Sequence, residues 1–470
     1  MSRLLIECTY VYHHPGVNSG IQRVVRNIVN NLSSVQEEIT CIPVIFKDGK
    51  ILEVTQLEPT HRDTWHGRLQ IFLERVAQKL VRMRHFYWLI HARLQPRWPW
   101  KASRVMRKLT FEVWNLFCMP LSLAIYLIEQ ILKVIQESSR AIEIECESDD
   151  ILVLLDSSWH ANFFPIAEQL QRKGISIVSV IYDLIPLTHP QFCDAPLVQV
   201  FDRWFEWVAN TANGFIAISS TIRDEVQNEV RRRLGNERSD QRWFDCFHLG
   251  SELDLVHRDT VIRRKVSKLF TSGRSIYLMV STIEPRKNHA YLLDAFEKSW
   301  ADGVDVVLCF VGRIGWKNER LIDRVKKHVE LGRRLFMLND LSDAELEYCY
   351  SGAKALVFPS FVEGFGLPLV EAMQRGLPTM ASDIPVFHEI GGDYTAYFSL
   401  TQSESLSRLV AEFELTDIFP AKKPMTHWTW LSWEDSTRQL VRRVMSHHSI
   451  CDPTHLQLQS DSHAPDHCTE

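Results

Sequence analysis

The sequence predicts an α/β protein built from two doubly wound parallel sheets. Short apolar runs alternate with helix-like segments along most of the 470 residues, the pattern of parallel sheets covered by helices. Glycine-containing loops and polar residues follow several of these apolar runs, at the strand ends where such sheets bind ligands. The chain is also long for one domain, and its length suits two or three.

Composition and charge narrow the function classes. The formal net charge of -5 and the charged fraction of 24% argue against a general nucleic-acid binder. Ten cysteines are scattered without a Cys-x-x-Cys pair, which is typical of reduced residues in a cytoplasmic protein. The segment Met1–Glu7 lacks the long apolar stretch of a secretory signal. We therefore expect a cytoplasmic protein with no nucleic-acid partner.

A first domain is predicted over residues 1–250, and a further helix at Trp433–Met445. Its expected strands are 4–8, 40–46, 151–156, 175–182 and 215–219, and its expected helices are 21–32, 159–172, 197–212 and 221–233. Asp156 and Asp183 follow two of these strands, where doubly wound sheets bind ligands. Each of the two could instead be an ordinary loop-capping carboxylate.

A helical insertion is predicted at about residues 60–140 of this domain. Arg62–Lys108 carries twelve Lys/Arg against two acidic residues, with interleaved aromatics, and Val113–Ile128 is free of charge. The apolar run is shorter than the roughly 20 residues that a spanning helix needs. Binding to an anionic membrane surface is one interpretation; an ordinary insertion packed on the domain is the other.

The second domain is expected at residues 275–430, after a charged linker at 251–273. Its predicted strands are 275–281, 304–312, 335–338, 355–358, 378–381 and 396–399, and its helices include 289–300 and 316–331. Residues 446–470 are polar with five histidines, and we expect this tail to be disordered.

The most informative run is Phe358–Asp383 in the second domain. An apolar strand is followed by a loop with Gly364 and Gly366, and then by a helix start containing Pro368. This geometry presents free N–H groups and a positive dipole end to an anion. Glu363 and Glu371 flank the loop, and each alone could be an ordinary acidic residue. Together they indicate a ligand with phosphate and hydroxyl groups, such as a nucleotide sugar.

The pattern Glu363-x7-Glu371 closely resembles the motif of retaining glycosyltransferases of family 4. Their fold is GT-B, with two Rossmann-like domains facing a cleft, and the resemblance implies that the helix at Trp433–Met445 crosses back to the first domain. The resemblance implies that Glu363 and the amides of Gly364, Phe365 and Gly366 hold the donor sugar. It also implies that Leu367 belongs to the donor-binding run and that Glu371 holds the ribose.

Three further segments are similar to those of bacterial O-antigen mannosyltransferases in this family. Gly20–Val24 resembles the first donor-facing loop, which implies that Gly20 lies near the diphosphate. Thr282–Asn288 resembles the phosphate-binding loop, in which Lys287 contacts the diphosphate and Arg286 substitutes for an arginine often found at position 282. Tyr182-Asp183-Leu-Ile-Pro resembles a motif that usually begins with histidine; Asp183 keeps its place, and Tyr182 replaces the histidine that commonly faces the sugar.

The resemblance implies a hexosyltransferase that retains anomeric configuration without a covalent enzyme intermediate. The expected donor is GDP-mannose, and the expected acceptor is a lipid-linked glycan or polysaccharide of the bacterial surface, such as O-antigen or exopolysaccharide. No cofactor or metal is expected, because two cations and helix dipoles can neutralise the leaving diphosphate. The protein would lie peripherally on the inner membrane. A sugar-nucleotide epimerase and a catalytically inactive membrane-bound scaffold remain alternatives.

Overall fold

The structure is a computed structural model that describes residues 2–14, 20–35, 39–54, 141–160, 163–252 and 262–450, with residue 57 and scattered residues of 72–83 and 112–131. The chain forms two compact units. The larger consists of Met1–Val11, Val17–Ile42 and Cys146–Glu470, and the smaller of Tyr12–Gly16 and Pro43–Glu145.

The described residues form fourteen strands. In chain order they are β1 (Leu4–Glu7), β2 (Cys41–Lys47), β3 (Lys50–Val54), β4 (Ala141–Glu143), β5 (Ile151–Leu154), β6 (Ser176–Ile181), β7 (Gly214–Ala217), β8 (Trp243–Cys246), β9 (Ile276–Val280), β10 (Val307–Val311), β11 (Leu335–Leu338), β12 (Ala355–Phe358), β13 (Thr379–Ser382) and β14 (Thr395–Phe398).

The helices of the described ranges lie between these strands. They are α1 (Thr9–His13), α2 (Gly20–Asn30), α3 (Phe164–Arg172), α4 (Ile185–Thr188), α5 (Ala195–Thr211), α6 (Ser220–Leu234), α7 (Asn236–Ser239), α8 (Arg264–Phe270), α9 (His289–Ala301), α10 (Glu319–Lys327), α11 (Asp343–Gly352), α12 (Leu367–Gln374), α13 (Pro385–Gly391), α14 (Glu404–Thr416) and α15 (Trp433–Ile450).

Two parallel sheets organise the larger unit, as the sequence predicts. In the first, β1, β5, β6, β7 and β8 pair in that order. In the second, the order is β11-β10-β9-β12-β13-β14. β5, β9 and β12 are buried along their whole length, because helices cover both faces of such sheets.

The second sheet has a topological switch point between β9 and β12. From β9 the chain moves outward to β10 and β11, and from β12 it moves the opposite way to β13 and β14. At such a point, the loops that follow the two neighbouring strands run to opposite faces of the sheet. A crevice forms between them at the carboxyl edge, where ligands bind in open α/β sheets. The loops after β9 and β12 are the two whose sequences predict a nucleotide-sugar site.

The smaller unit contains a hairpin that the sequence reading missed. β2 and β3 pair antiparallel, and β4 continues the antiparallel pairing with β3. Asp48 and Gly49 connect the hairpin with φ of 49° and 80°, the two positive values of a type I′ turn. The dipeptide Asp-Gly between two apolar runs was the available signal.

The predicted insertion at 60–140 lies largely outside the described residues, including most of the basic segment Arg62–Lys108. Within Val113–Ile128, residues 118–128 are helical. No helix among the described residues is both long enough and apolar enough to cross a membrane.

Several predicted boundaries were wrong. α1 lies between the expected strand 4–8 and the expected helix 21–32, where no helix was predicted, while residues 15–19 lie outside the described ranges. The helix expected at 316–331 is confined to α10, because the left-handed Lys317 precedes it and His328 ends it in extended conformation. A capping box formed by Ser342 and Glu345 begins α11.

The expectation of disorder from residue 446 was wrong for residues 446–450, which are helical. α15 continues through Ile450, because its last turn finds tertiary partners. The His447 ring stacks on Trp243 with centroids 4.3 Å apart, and its Nε2 lies 3.0 Å from a carboxylate oxygen of Asp245. Residues 451–470 lie outside the described part of the chain.

Candidate active site

The loops after β9 and β12 are joined at the switch point. The Phe361 N–H donates to the Arg286 carbonyl at 2.9 Å, and the Arg286 Nη1 lies 3.3 Å from the Val362 carbonyl. A short 3₁₀ turn at Pro285–Lys287 and the left-handed Asn288 place both cations just before α9. Local backbone geometry thus aims Arg286 and Lys287 at the loop that carries Glu363.

A buried ionic cluster forms around Glu363, whose exposed fraction is 7%. Its carboxylate pairs with the Lys287 Nζ and, at 2.7 Å, with the Arg286 Nη1. Ser360 Oγ donates to it at 2.7 Å. Arg286 also pairs with Glu284 at 2.5 Å. Two cations and two carboxylates therefore meet in one low-dielectric site, where their interactions are strong.

Burial and charge set opposing pKa shifts in this cluster. Burial raises the pKa of Glu363, but Arg286 and Lys287 outweigh it and lower the value to about 2. Burial, with the neighbouring charge of Arg286, lowers the pKa of Lys287. Burial raises the pKa of Glu284 despite the same two cations. Glu363 is thus the carboxylate held firmly ionised, and it neutralises the cations that an anionic ligand would otherwise meet.

Asp183, from the first sheet, belongs to the same electrostatic site. Its carboxylate accepts from the Ile185 N–H at 3.0 Å. Burial raises its pKa, and the charges of Arg286 and Lys287 act against that rise. The structure therefore brings together Asp183, Arg286, Lys287 and Glu363, the four residues that we predict to be catalytic.

Gly364 forms the closest contact between the two sheets' loops. A Cβ at this position would lie 2.0 Å from the Tyr182 carbonyl oxygen and 3.2 Å from the Asp183 Cβ. The Gly364 carbonyl accepts from the Ser219 Oγ at 2.9 Å. Backbone thus approaches backbone here, which only glycine permits.

Tyr182 does not take the place of a sugar-facing histidine. Its exposed fraction is 6%, and its hydroxyl donates to the Leu155 carbonyl at 2.7 Å. The side chain is thus a buried, hydrogen-bonded part of the first sheet. Tyr182 thus has a structural role in this part of the chain.

Glu371 has two partners that the sequence reading missed. Its carboxylate pairs with Arg23 of α2 and accepts from the Tyr350 hydroxyl at 2.7 Å. Arg23 also donates to the Glu252 carbonyl at 2.8 Å. The resemblance implies that Glu371 holds the ribose, and this stays a prediction; each carboxylate oxygen has one of these two partners and keeps lone pairs that can accept from further hydroxyls. Arg23 lies within the Gly20–Val24 motif, which was the available signal.

The remaining predicted donor residues lie in two places. Gly366 caps α12 with φ of 106°, Leu367 is its first residue, and Phe365 is buried with its ring 6.0 Å from that of Trp430. These three follow Glu363 directly. Gly20 is exposed at the start of α2 with open space in front of it, and its expected place near the diphosphate stays a prediction.

An acidic residue of α13 clasps the first sheet's helix α6, and no sequence pattern indicated it. Glu389 accepts from the N–H groups of Ser220 at 2.6 Å and Thr221 at 3.0 Å, and its carboxylate lies 3.0 Å from the His248 Nε2. Burial raises the pKa of Glu389, but these bonds outweigh it and lower the value to about 2. The clasp holds the two sheets' layers together beside Gly364.

The two sheets and the site between their carboxyl edges define the GT-B fold. HepE from Anabaena, solved with UDP and glucose, superposes with a TM-score of 0.53 at 12% identity, over 95% of this chain and all of that one. Sucrose-phosphate synthase from Thermosynechococcus elongatus gives 0.54 at 14% identity, over 96% of this chain and all of that one. These likenesses concern the fold.

The second sheet carries a glycosyl transferases group 1 domain. Residues 262–423 match the family described as "Glycosyl transferases group 1", so the resemblance inferred from Glu363-x7-Glu371 is confirmed. "Serotype-specific mannosyltransferase WbdA" of Escherichia coli is 31% identical over 303 residues, 63% of this chain and 37% of that protein. "O-antigen chain mannosyltransferase RfbU" of Salmonella typhimurium is 32% identical over 236 residues, 50% of this chain and 60% of that protein. The chain thus matches little more than a third of WbdA's length.

Proposed function

We propose that this protein is a retaining glycosyltransferase that moves a hexose, mannose from GDP-mannose, onto a lipid-linked or polysaccharide acceptor of the bacterial surface. One observation carries the proposal: Arg286 and Lys287 share a buried cluster with Glu363 at the switch point, with Asp183 of the other sheet beside them. Two fixed cations suit a diphosphate. A carboxylate next to them suits the hydroxyls of the sugar that the diphosphate carries.

Each side chain then has a defined task. Arg286 and Lys287 stabilise the diphosphate as negative charge develops on bond cleavage, which lowers the barrier more than it tightens ground-state binding. Glu363, released from part of its pairing by the incoming phosphates, accepts hydroxyl bonds from the sugar and orients it. The leaving phosphate oxygen takes the acceptor proton. The two cations supply the countercharge, so we propose no metal or cofactor.

Mannose as the transferred sugar is the finer part of the proposal. Its support is the relatives named mannosyltransferases together with the motif Gly20–Val24. In this proposal, Glu371 binds the ribose hydroxyls after the Arg23 side chain has moved away from its carboxylate. A cytoplasmic protein held peripherally at the inner membrane by Arg62–Lys108 fits a lipid-linked acceptor, and its support is the basic and aromatic composition of that segment.

Nucleotide binding and donor hydrolysis test the proposal. GDP, UDP, GDP-mannose and UDP-glucose are compared by thermal shift, since a ligand at 100 times its Kd stabilises by about 2.7 kcal/mol. GDP-mannose is then incubated without acceptor, and release of GDP is followed. A parallel mixture contains octyl α-D-mannopyranoside as acceptor; the anomeric configuration of the mannoside formed there is read by NMR, and an inverted anomer would contradict retention.

Lys287→Ala is the sharpest variant in this test. It should lower turnover roughly 100-fold and weaken GDP binding less, and Lys287→Arg should recover only part of the loss. Lys326→Ala, an exposed lysine on α10, is the matched control. Equal losses for the two lysine-to-alanine variants, or no GDP release from the wild-type protein, would refute the proposal.

A further inference from the structure

A stack of three rings lies beside the proposed donor site. Phe192 and Phe361 have centroids 5.6 Å apart and planes 18° from parallel. Phe192 and His189 lie 6.1 Å apart with planes 9° from parallel. We call His189, Phe192 and Phe361 the aromatic shelf. It spans both sheets' layers, since the first two residues follow Asp183 along the chain and the third precedes Glu363.

The shelf is held in place by hydrogen bonds on both sides. The Trp316 indole donates to the Phe192 carbonyl at 2.9 Å, and the Lys317 Nζ donates to the Cys193 carbonyl at 2.6 Å. The Phe361 N–H donates to the Arg286 carbonyl. The rings are therefore positioned by fixed backbone and not by a yielding apolar core.

One ring of the shelf is open to solvent. Phe361 is 42% exposed, and the neighbouring Trp316, which donates to the Phe192 carbonyl but is not part of the shelf, is 40% exposed. A contact whose purpose was burial would cover these rings, because each buried aromatic removes a large apolar area from water. Exposed aromatics on a fixed support, next to convergent polar groups, are typical of a binding surface.

The position of the shelf selects its occupant. Glu363 is two residues from Phe361, so their Cα atoms are within about 7 Å. The attacking hydroxyl of the acceptor must reach the donor sugar held at Glu363. The acceptor ring that bears this hydroxyl therefore lies directly beside the donor sugar. A pyranose has a C–H face that packs on an aromatic ring and a rim of hydroxyls for the nearby polar groups.

We propose that the aromatic shelf binds the terminal pyranose of the acceptor glycan, with Phe361 stacked on its C–H face. The assignment rests on the proposed glycosyl transfer and adds to it the place of the acceptor. His189 and Phe192 extend the stack behind Phe361 and fix its ring plane.

Kinetics with octyl α-D-mannopyranoside as acceptor and GDP-mannose as donor test the shelf. Phe361→Ala and Phe361→Leu should raise the acceptor KM about tenfold, while Phe361→Tyr, which keeps the ring, should stay within twofold of wild type. Most of the loss should lie in KM and little in kcat. GDP affinity should be unchanged in all three. Leu415→Ala, which removes an 87% exposed apolar side chain of the same domain, is the control with wild-type values.

A second measurement separates this inference from the proposed function. Saturation-transfer NMR follows methyl α-D-mannopyranoside on the GDP-loaded protein, and its signal should fall in Phe361→Ala. A shelf-dependent signal without any turnover would sink the proposed transferase and keep the sugar subsite. Turnover with a signal that Phe361→Ala leaves intact would do the reverse.

Two further outcomes would overturn the shelf. If Phe361→Ala weakens GDP binding as much as it raises the acceptor KM, the rings serve to hold the two layers together. If Phe361→Leu behaves as wild type, or octanol competes as well as the octyl mannoside, the surface recognises an aliphatic chain and not a sugar ring.

Discussion

Glu363→Gln should destabilise the protein as well as stop transfer. Glu363 is only 7% exposed, and its carboxylate pairs with Arg286 and Lys287. Breaking a buried pair by removing one partner costs about 3–5 kcal/mol. Glu284 remains on Arg286 at 2.5 Å, and the glutamine can still accept from Ser360, so we expect the lower end, about 3 kcal/mol. This is about 6–12 °C in Tm for one domain of this size.

The assay is calorimetric melting at pH 7.5 with two comparison variants. Glu434→Gln removes one carboxylate from an exposed pair with Arg438 and should shift Tm by less than about 2 °C. Glu363→Gln combined with Lys287→Met removes one of the orphaned cations and should recover about half of the loss. GDP should restore Glu363→Gln more than it stabilises the wild type, because phosphate replaces the missing countercharge. A melting temperature for Glu363→Gln inside the range of the control would refute the buried-countercharge reasoning.

Three further predictions concern contacts outside the ionic cluster. Arg23→Ala should change GDP affinity while leaving inorganic pyrophosphate affinity within twofold, because the arginine occupies the carboxylate of Glu371 that the ribose would use; calorimetric titration of both ligands checks this, and parallel changes would place Arg23 on the phosphates. Glu7, whose pKa burial and Asp156 raise to about 7, binds a proton in the folded protein that the unfolded chain has lost. Stability should therefore fall by on the order of 3 kcal/mol as pH rises from about 4.5 to 7, and Glu7→Gln should flatten this part of the profile; an unchanged slope in the variant assigns the titration elsewhere. Glu389→Ala removes the acceptor of the Ser220 and Thr221 N–H groups while Ser219 still caps α6, which should cost about 1 kcal/mol and speed proteolysis of the segments that join the two sheets; equal cleavage of variant and wild type would show that the clasp is dispensable.

The parts of the site that sequence predicted are those fixed by local geometry. A strand, a Gly-x-Gly loop and a helix with Pro368 in its first turn determine where Glu363 sits, whatever the rest of the chain does. The same holds for Arg286 and Lys287, which a strand end and a single 3₁₀ turn place before α9. The alternation of strands and helices likewise determines two parallel sheets.

The contacts that sequence could not predict join residues far apart in the chain. Arg23 and Glu371 are 348 residues apart, and Glu389 reaches Ser220 across 169. Nothing in the neighbourhood of either glutamate indicates such a partner. The predicted end of α15 was wrong for the same reason. The polar, histidine-containing last turn is held by Trp243 and Asp245, which lie in β8, far away in the chain.

Gly364 sets the distance between the loop after β12 and the loop after β6. The backbone of residue 364 can approach the Tyr182 carbonyl this closely only while the residue has no Cβ. The width of the crevice between the two sheets' loops therefore depends on glycine at this position. One methyl group at this position would act as a wedge, propping the second sheet's loop away from Asp183 without altering a single charge. Gly364→Ala would thus keep every charged residue of the site but separate the second sheet's loop from Asp183. Steps that need residues of one sheet only could then be studied apart from steps that need residues of both.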